Sequence, residues 1–360
     1  MAKQRIISAQ SDGATEELLN LSLRPQRLGG YVGQRQLVQK LTIALEAVQQ
    51  RGEPMEHILL HGPPGLGKTT LAHIIAAEMN THLVMTSGPA LTRPTDLVGA
   101  LTKLQSGDVL FIDEIHRLSP VVEEYIYPAM EDFKISVIVD SGMHAKPIEI
   151  PIKPFCLIGA TTRAGLLSGP MRSRFGISHH LEFYDADDLL TILHRNASLL
   201  NMNRPVDKPT PPTEAPTSLS LDCLQTIAKR SRGTPRIANR LLRRVRDYAQ
   251  VRADGALNHN VVDRALRLEG VDERGLDETD RKYLKVIGSV YDGGPVGLEA
   301  IAATLNEDAG TLEEMVEPFL LQIGFLARTR KGRQLTPAAG EHLGVKVPVQ
   351  EQPLFQDAAP

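Results

Sequence analysis

Cysteine is scarce in this chain, and long apolar runs are missing from its sequence. Among 360 residues the only cysteines are Cys156 and Cys223, and they lack the spacing of a metal-binding set. Two distant cysteines do not build a disulfide framework, so a reducing compartment is the simplest setting. No apolar stretch has the length of a signal peptide or of a membrane-spanning helix. These absences predict a cytoplasmic protein that does not associate with a membrane.

Tryptophan is absent, aromatic residues make up 4% of the chain, and the net charge is only −3. The near-neutral charge favours no class of partner by itself. Hydrophobic residues at 42% and charged residues at 23% are ordinary for a globular protein of two or three domains. One local stripe is basic, with four Lys/Arg between Arg328 and Arg333. Such a stripe either contacts phosphate or is a solvated surface.

A glycine-rich loop, Gly62 to Thr69, has the pattern G-x-x-x-x-G-K-T. It lies between an apolar strand pattern at 57–60 and a helical pattern at 68–79. Glycines let backbone N–H groups turn toward phosphate oxygens, and the following helix N-terminus faces the anion. We expect the Lys68 ammonium to neutralise the β- and γ-phosphates. The nucleotide-binding candidates in this loop are Gly65, Gly67, Lys68, Thr69 and Thr70.

A pair of carboxylates, Asp113 and Glu114, ends the apolar segment Val109–Ile112. Asp113 and the Thr69 hydroxyl are the predicted Mg²⁺ ligands. Glu114 is placed to orient and deprotonate an attacking water. A strand-end carboxylate pair is often merely solvated, but after a loop of this kind it indicates an ATPase that uses ATP and Mg²⁺.

Short apolar segments alternate with helical patterns in the first half of the chain. This order predicts an α/β fold with a doubly wound parallel sheet, in which ligands bind beyond the carboxyl ends of the strands. The predicted strands are 57–61, 82–86, 109–113, 155–160 and 179–183, and the predicted helices are 34–51, 68–79 and 119–130. The domain is expected to span 1–184, with residues 1–20 disordered.

The second half of the chain is mainly helical. A small domain is predicted at 185–272, with helices at 186–200, 219–231, 235–252 and 258–268. Its segment 203–218 is proline-rich and has almost no bulky apolar residue, so we expect an exposed loop. A third domain is predicted at 273–345, with helices at 277–291, 297–305 and 310–323 before a basic β-hairpin. Three helices and a basic hairpin suggest a winged helix, and a disordered tail is expected at 346–360.

Further motifs occur in a fixed order along the chain. Gly159-Ala160-Thr161-Thr162-Arg163 follows the carboxylates, then Ser173-Arg174-Phe175, then Gly233-Thr234-Pro235-Arg236. This order resembles the AAA+ ATPases, which carry a phosphate loop, a carboxylate pair, a polar sensor, an arginine finger and a sensor arginine in a helical lid. Leu23-Arg24-Pro25, Tyr31-Val32-Gly33-Gln34 and Asp113-Glu114-Ile115-His116-Arg117-Leu118 narrow the resemblance to the RuvB family, motors of Holliday junction branch migration. The resemblance covers about 23–344.

The resemblance implies roles around the nucleotide. Leu23 and Arg24, with the segment 31–34, are implied to line the adenine and ribose, and Tyr184 to pack near the nucleotide. Thr161 or Thr162 is implied to sense the γ-phosphate; the sequence does not distinguish them. Arg236 is implied to contact the γ-phosphate from the lid.

The resemblance also implies an assembly. Arg174 is implied to reach the ATP of a neighbouring subunit in a homohexamer, with Arg172 as the rival residue. The implied activity is ATP hydrolysis that moves duplex DNA at Holliday junctions during recombination and repair. A RuvC-type resolvase is a further possible partner.

Two surfaces are implied to contact partners. In the basic hairpin, Arg328 and Arg333 are implied to face the DNA backbone, with Arg330 and Lys331 beside them. The segment 134–150 is an alternating apolar hairpin pattern, which by default indicates half-buried strands. The resemblance instead implies that Ile148 and Ile150 dock a RuvA-type junction-binding protein.

Two other functions fit parts of this pattern. A protein unfoldase needs an aromatic pore loop, but Thr86 to Gly107 contains no aromatic residue. A nucleotide-dependent switch or winged-helix regulator would use ATP only to change shape. The complete set of predicted catalytic residues favours the motor.

Overall fold

The computed structural model describes residues 23–138, 147–200, 202 and 220–345. The expected disordered start at 1–20, the proline-rich segment 203–218 and the tail at 346–360 lie outside the described residues. The turn of the predicted hairpin at 140–142 lies outside them as well.

A five-stranded sheet forms the centre of the first part of the chain. Its strand order is β2-β3-β6-β1-β7, and every neighbouring pair is parallel. The loops that follow β1, β3 and β6 therefore leave the same edge of the sheet. The strands are β1 Ile58–His61, β2 Leu83–Ser87, β3 Val109–Asp113, β6 Cys156–Thr161 and β7 Ile177–His180, with a separate antiparallel hairpin of β4 Lys134–Ile138 and β5 Pro147–Pro151.

Alternation along the strands gives the sheet two apolar faces. Ile58 and Leu60 of β1 join one buried cluster, whereas Leu59 between them joins the other. Helices cover both faces, as a doubly wound sheet requires. These helices are Arg35–Arg51, Lys68–Met79, Pro94–Leu101, Pro120–Glu131 and Gly169–Ser173. The three predicted helices are confirmed, and those at 94–101 and 169–173 were not predicted.

The last strand of the sheet lies earlier than the predicted 179–183. After β7 ends at His180, the Leu181 N–H makes one more bond to His61 O at 2.7 Å. The Glu182 N–H then donates to the Gln34 side chain at 3.2 Å, and the Tyr184 N–H donates to Gly233 O at 2.9 Å. These bonds direct the chain away from the sheet, so the apolar Leu181 and Phe183 do not extend the strand.

Among the described residues, four helices form the lid that follows. They are Ala186–Leu199, Leu221–Lys229, Pro235–Arg252 and His259–Leu268. Three of them begin with a side chain that caps a backbone N–H: Asp185, Ser220 and Asn258. Apolar residues of the lid belong to the same buried cluster as one face of the sheet.

The final part, here called the head, has its own apolar core. Its elements are the helices Glu278–Ser289, Leu298–Leu305, Ala309–Thr311, Glu317–Gln322 and Pro337–Leu343, a π-helical turn Leu312–Val316, and the antiparallel hairpin β8 Leu326–Thr329 and β9 Gly332–Leu335. The hairpin was predicted, whereas the last helix was not. The single helix predicted at 310–323 is interrupted, because Pro318 has no N–H to donate to the Glu314 carbonyl and the turn before it is π-helical.

A buried guanidinium joins the head to the lid. Arg232 pairs with Asp277 at 3.1 Å and with Asp280 at 3.0 Å, and its guanidinium lies 4.6 Å from the centre of the Phe319 ring. Within the described ranges, no helix is both long and apolar enough to cross a membrane.

Candidate functional site

The phosphate loop connects β1 to the helix Lys68–Met79 at the carboxyl edge of the sheet. Gly62 and Gly67 have φ of 132° and 103°, values that side-chain-bearing residues rarely adopt. A Cβ at Gly65 would lie 2.7 Å from the Thr234 side chain, and one at Gly67 would lie 2.9 Å from the Tyr31 hydroxyl. The loop therefore packs against Thr234 and Tyr31 only because these two positions carry no side chain.

Lys68 occupies the bottom of this loop. Its ammonium donates to Gly62 O at 2.7 Å and to Pro63 O at 2.9 Å, and the residue is 7% exposed. Burial, which is the largest effect, and the nearby Arg236 lower the Lys68 pKa to about 8, although Asp113 and Glu114 act in the opposite direction. A bound phosphate would place negative charge beside this ammonium and stabilise its protonated form.

A cleft lies between the phosphate loop, the sheet edge and the lid. It brings together most of the predicted catalytic and nucleotide-binding residues. They are Arg24, Gly65, Gly67, Lys68, Thr69, Thr70, Asp113, Glu114, Thr162 and Arg236. These residues come from five separate segments, so the parallel sheet and the lid together build the site.

The carboxylates lie at the end of β3. Asp113 accepts the Glu114 N–H at 3.0 Å, and Glu114 has a left-handed backbone with φ of 49°. Burial and the neighbouring Asp113 raise the pKa of Glu114, while Lys68 lowers it. A non-glycine residue in this conformation is held there by its surroundings, a feature often found at functional sites.

Thr161 and Thr162 point in different directions. The Thr161 side chain is fully buried and its hydroxyl lies 2.8 Å from His116 Nδ1. The Thr162 hydroxyl lines the cleft and donates to Glu114 Oε2 at 3.4 Å. Only Thr162 therefore reaches the nucleotide side of the sheet, which favours it as the sensor.

His116 is a residue that the sequence analysis did not assign to the site. Its Nδ1 lies 3.3 Å from Glu114 Oε2 as well as next to Thr161. Burial and Arg163 lower the pKa of His116, so the ring is neutral near neutral pH and positions its neighbours without adding charge. Its place two residues after Glu114 was the only available signal.

A second cavity adjoins the cleft next to the first described residues, which begin at Leu23. Leu23, Arg24 and Tyr184 line it, as predicted for a purine site, together with Tyr31 and Val32. The Tyr184 hydroxyl lies 2.9 Å from the Tyr31 hydroxyl and 3.3 Å from Leu66 O, which accepts its hydrogen bond. Burial raises the pKa of Tyr184 to about 12, so this hydroxyl remains a donor.

The lid contributes more residues than the sequence indicated. Ile192, Arg195 and Asn239 line the second cavity. Arg195 donates to Leu23 O at 3.1 Å and to Gly30 O at 2.8 Å. The lid thus holds the first described segment against the nucleotide site, and no motif in the sequence marks this contact.

The two candidate finger arginines lie away from the cleft of their own chain. Arg174 pairs with Glu131 at 3.1 Å and lies 4.4 Å from the centre of the Tyr127 ring. Arg172 donates to Ala164 O at 2.8 Å. Neither is among the residues that line the cleft, so within one subunit neither contacts the nucleotide site.

The hairpin β4–β5 has one buried and one exposed set of apolar residues. Ile135 is fully buried, whereas Ile148 and Ile150 are 50% and 39% exposed. The exposed pair agrees with a surface that a partner covers.

The basic hairpin β8–β9, here called the wing, differs from a simple row of free cations. Arg328 and Arg333 both pair with Glu317, whose side chain is fully buried. Arg328 is 44% exposed and Arg333 is 19% exposed. Arg330 and Lys331 are exposed at the turn and form no ion pair among the described residues. The four basic residues thus divide into two anchors and two free cations.

The lowered pKa of the buried Lys68 ammonium predicts that nucleotide binding is accompanied by proton uptake. Its folded-state pKa of about 8 lies below the usual 10.5, so between these values the unfolded chain binds more protons and stability rises with pH. Nucleotide phosphates restore the higher pKa. We therefore expect binding to take up about 0.9 proton at pH 9 and about 0.1 at pH 7, with affinity about tenfold weaker at pH 9.

Calorimetry in buffers of different ionisation enthalpy measures this uptake directly. AMP, which lacks the β- and γ-phosphates, is the matched ligand and should show no such pH dependence. Equal proton uptake at pH 7 and pH 9 would contradict the assignment of a depressed pKa to Lys68.

Comparisons with known proteins agree with this geometry. Family models match the chain as the Holliday junction DNA helicase RuvB P-loop domain at 23–181, the RuvB AAA lid domain at 216–272 and the RuvB C-terminal winged helix domain at 273–344. A Latilactobacillus sakei protein named Holliday junction branch migration complex subunit RuvB is 51% identical over 348 residues, covering 97% of this chain and 99% of that protein. The solved Thermotoga maritima RuvB Holliday junction branch migration motor is 49% identical with a TM-score of 0.80, covering 91% of this chain and 100% of that one. The chain described here belongs to the RuvB family of P-loop ATPases.

Proposed function

We propose that this chain is an ATP-driven motor that moves duplex DNA to drive branch migration of Holliday junctions, and that it acts as a homohexameric ring. The observation that carries the proposal is a cleft lined by a phosphate loop, two carboxylates and a lid arginine, in the same chain as a head with a basic wing. The names of the two relatives, a branch migration complex subunit and a branch migration motor, support it.

The residues of the cleft have complementary roles in hydrolysis. Lys68 and the bare loop backbone bind the β- and γ-phosphates, and Arg236 binds them from the lid. Glu114, with a raised pKa, accepts a proton from the attacking water. Thr162 orients that carboxylate and senses the γ-phosphate. Thr69 and Asp113 fit Mg²⁺, a hard cation that prefers oxygen ligands and would neutralise developing phosphate charge.

Hydrolysis requires a neighbouring subunit in this proposal. Arg174 lies outside its own cleft, at the end of the short helix Gly169–Ser173, with its side chain 20% exposed. In a ring it supplies a guanidinium to the next subunit's nucleotide and stabilises charge on the transferring phosphoryl group. To reach that nucleotide, the Arg174 guanidinium leaves its ion pair with Glu131 and its contact with the Tyr127 ring.

The head and the β4–β5 hairpin give the motor its partners. The wing contacts the phosphate backbone of duplex DNA, which provides affinity with little base readout. Ile148 and Ile150 dock a RuvA-type junction-binding protein. We also propose a RuvC-type resolvase as a further partner. The proposed location is the cytoplasm. The proposed domain bounds are 1–184, 185–272 and 273–345, followed by the tail.

The protein-unfoldase alternative lacks its central feature. Unfoldases grip polypeptide with an aromatic side chain in the loop before the carboxylate strand. The corresponding stretch here, Thr86 to Gly107, contains no aromatic residue. A winged-helix regulator remains the second candidate, and turnover in the presence of junction DNA distinguishes it from a motor.

The test is steady-state ATP hydrolysis with and without a synthetic four-way junction and the junction-binding partner. We expect the junction to stimulate hydrolysis and to be converted into two duplexes. Lys68→Ala is the matched inactive control, because it removes the ammonium that binds the phosphates. Hydrolysis that is indifferent to DNA, with no strand separation, would reject the motor.

Arg174→Ala is expected to abolish hydrolysis while sparing nucleotide binding. Removal of an arginine finger lowers turnover by about 10³-fold or more. Arg172→Ala is the matched control on the same short helix and should retain turnover. Turnover and nucleotide affinity are measured for both variants, and normal turnover in Arg174→Ala would transfer the role to another residue.

The two pairs of wing cations should respond differently to substitution. Arg330→Ala with Lys331→Ala removes exposed charges, so stability should change by less than about 0.5 kcal/mol while the salt slope of DNA binding falls by about 1–2. Arg328→Ala with Arg333→Ala leaves Glu317 buried without a cation and should destabilise the head by about 3–5 kcal/mol. Thermal unfolding and DNA binding at several salt concentrations measure both. An unchanged salt slope in the first variant would remove the wing turn from the DNA contact.

A further inference from the structure

Three glutamates on one segment of the head lie between the wing and the nucleotide site. Glu313 and Glu314 belong to the π-helical turn Leu312–Val316, and Glu317 begins the next helix. Glu317 anchors the wing, whereas Glu313 and Glu314 have no role in the functions proposed above. π-Helical turns are rare and occur frequently where function requires an irregular helix.

Glu317 fixes the wing to this segment. Its carboxylate accepts hydrogen bonds from Tyr283 Oη at 2.6 Å, from Arg328 Nε at 2.8 Å and from Arg333 Nε at 2.8 Å. Burial raises the pKa of Glu317, but these hydrogen bonds outweigh burial and hold it below its usual value. The wing and the glutamate segment therefore move together.

Arg163 connects the same segment to the ATPase part. Its Nε pairs with Glu314 Oε1, and its Nη2 lies 3.9 Å from Glu313 Oε2. Arg163 directly follows the cleft residue Thr162, and its backbone N–H donates to the Thr161 hydroxyl at 2.9 Å. A pull on the Arg163 guanidinium thus acts on the loop that places Thr162 against Glu114.

Glu313 faces cations on both sides. Its Oε1 lies 3.9 Å from Arg328 Nη2 and 3.7 Å from Arg333 Nη2, while its other oxygen faces Arg163. DNA phosphates that bind Arg328 would draw this guanidinium from Glu313, and the carboxylate would then pair more strongly with Arg163.

The contact with Arg163 is exposed enough to change during a cycle. The side chains of Arg163 and Glu314 are 32% and 33% exposed, so their pairing is weak and readily exchanged. The ion pair from Arg232 of the lid to Asp280 of the head has side chains only 6% and 0% exposed. The head therefore stays with the lid, and its contact with the ATPase part is the changeable one.

We propose that Arg163 forms an exchangeable contact with Glu313 and Glu314, here called the Arg163 latch. DNA bound at the wing tightens this contact. Through the latch, DNA occupancy repositions Thr162 and Glu114. The proposal rests on the proposed function, since it requires DNA at the wing. Arg163 and Glu314 are positioning residues in this scheme.

Charge reversal tests the latch. Arg163→Glu and Glu314→Arg are made singly and together, and full-length protein is assayed for ATP hydrolysis with and without junction and partner. We expect each single variant to keep its basal rate and to lose about two- to fivefold of the DNA stimulation, the range for a partly exposed ion pair. The double variant, with the charges exchanged, should regain most of it. Arg163→Ala and Glu314→Gln repeat the test should a reversed charge prevent folding.

A second measurement does not depend on turnover. Because coupling between two binding sites is reciprocal, a non-hydrolysable ATP analogue should change the DNA affinity of the wild type. The single variants should lose this change, and the double variant should recover it. Glu299→Arg, an exposed glutamate of the head with no ion pair among the described residues, makes the same charge change outside the latch and should behave as the wild type.

The outcomes separate the latch from the proposed function. Single variants that keep full DNA stimulation and full coupling would overturn the latch while the motor stands. A basal rate that rises to the DNA-stimulated rate in Arg163→Ala would show a restraint instead of a tightening contact, and would overturn the proposal as stated. A wild type that is indifferent to the junction would overturn the motor and the latch together.

Discussion

One buried ammonium group organises the nucleotide site. Lys68 is held under the phosphate loop by carbonyls of that same loop, at 2.7 Å and 2.9 Å, so the loop is already shaped before a phosphate arrives. Burying a cation is unfavourable unless it is paired and hydrogen-bonded. Asp113 and Glu114 provide part of the compensating charge from the next strand but one in the sheet. The loop, the carboxylates and the sheet edge are therefore one electrostatic unit, and the ligand completes it.

The lid and the head are attached to the rest of the molecule by different kinds of contact. The lid shares an apolar cluster with one face of the sheet, whereas the head has a separate core and is joined to the ATPase part and the lid by ion pairs of Arg163 and Arg232. Apolar packing is non-directional and holds two parts over a broad surface. Ion pairs depend on geometry and can exchange one partner for another. The head is thus attached through contacts whose strength responds to other charges, including those of nucleic acid.

Sequence patterns located the strands and the phosphate loop because these features are local. Short continuous apolar runs specify β1 and β3, and the glycines of the loop mark backbone conformations that other residues rarely adopt. Features set by distant partners were not accessible. The early end of β7 depends on Gln34 and Gly233, and the choice between Thr161 and Thr162 depends on His116. Arg328 and Arg333 of the wing were expected to face DNA, and nothing in the local pattern indicates that both pair with the buried Glu317. The irregular turn before Pro318, in contrast, follows from a local property, because proline has no N–H to donate to the carbonyl four residues earlier.

The hydroxyl pair of Tyr184 and Tyr31 on the Leu66 carbonyl joins the start of the described chain, the phosphate loop and the lid junction at one point. A purine bound there is enclosed by parts of the chain whose relative placement depends on the lid. Nucleotide affinity is then a measure of how often the lid is closed: the apparent dissociation constant equals the intrinsic one divided by the closed fraction. A substitution in the lid core that halves this fraction doubles the apparent dissociation constant, although it touches no atom near the purine. Weak binding in a variant of this chain is therefore not by itself evidence of a damaged binding site.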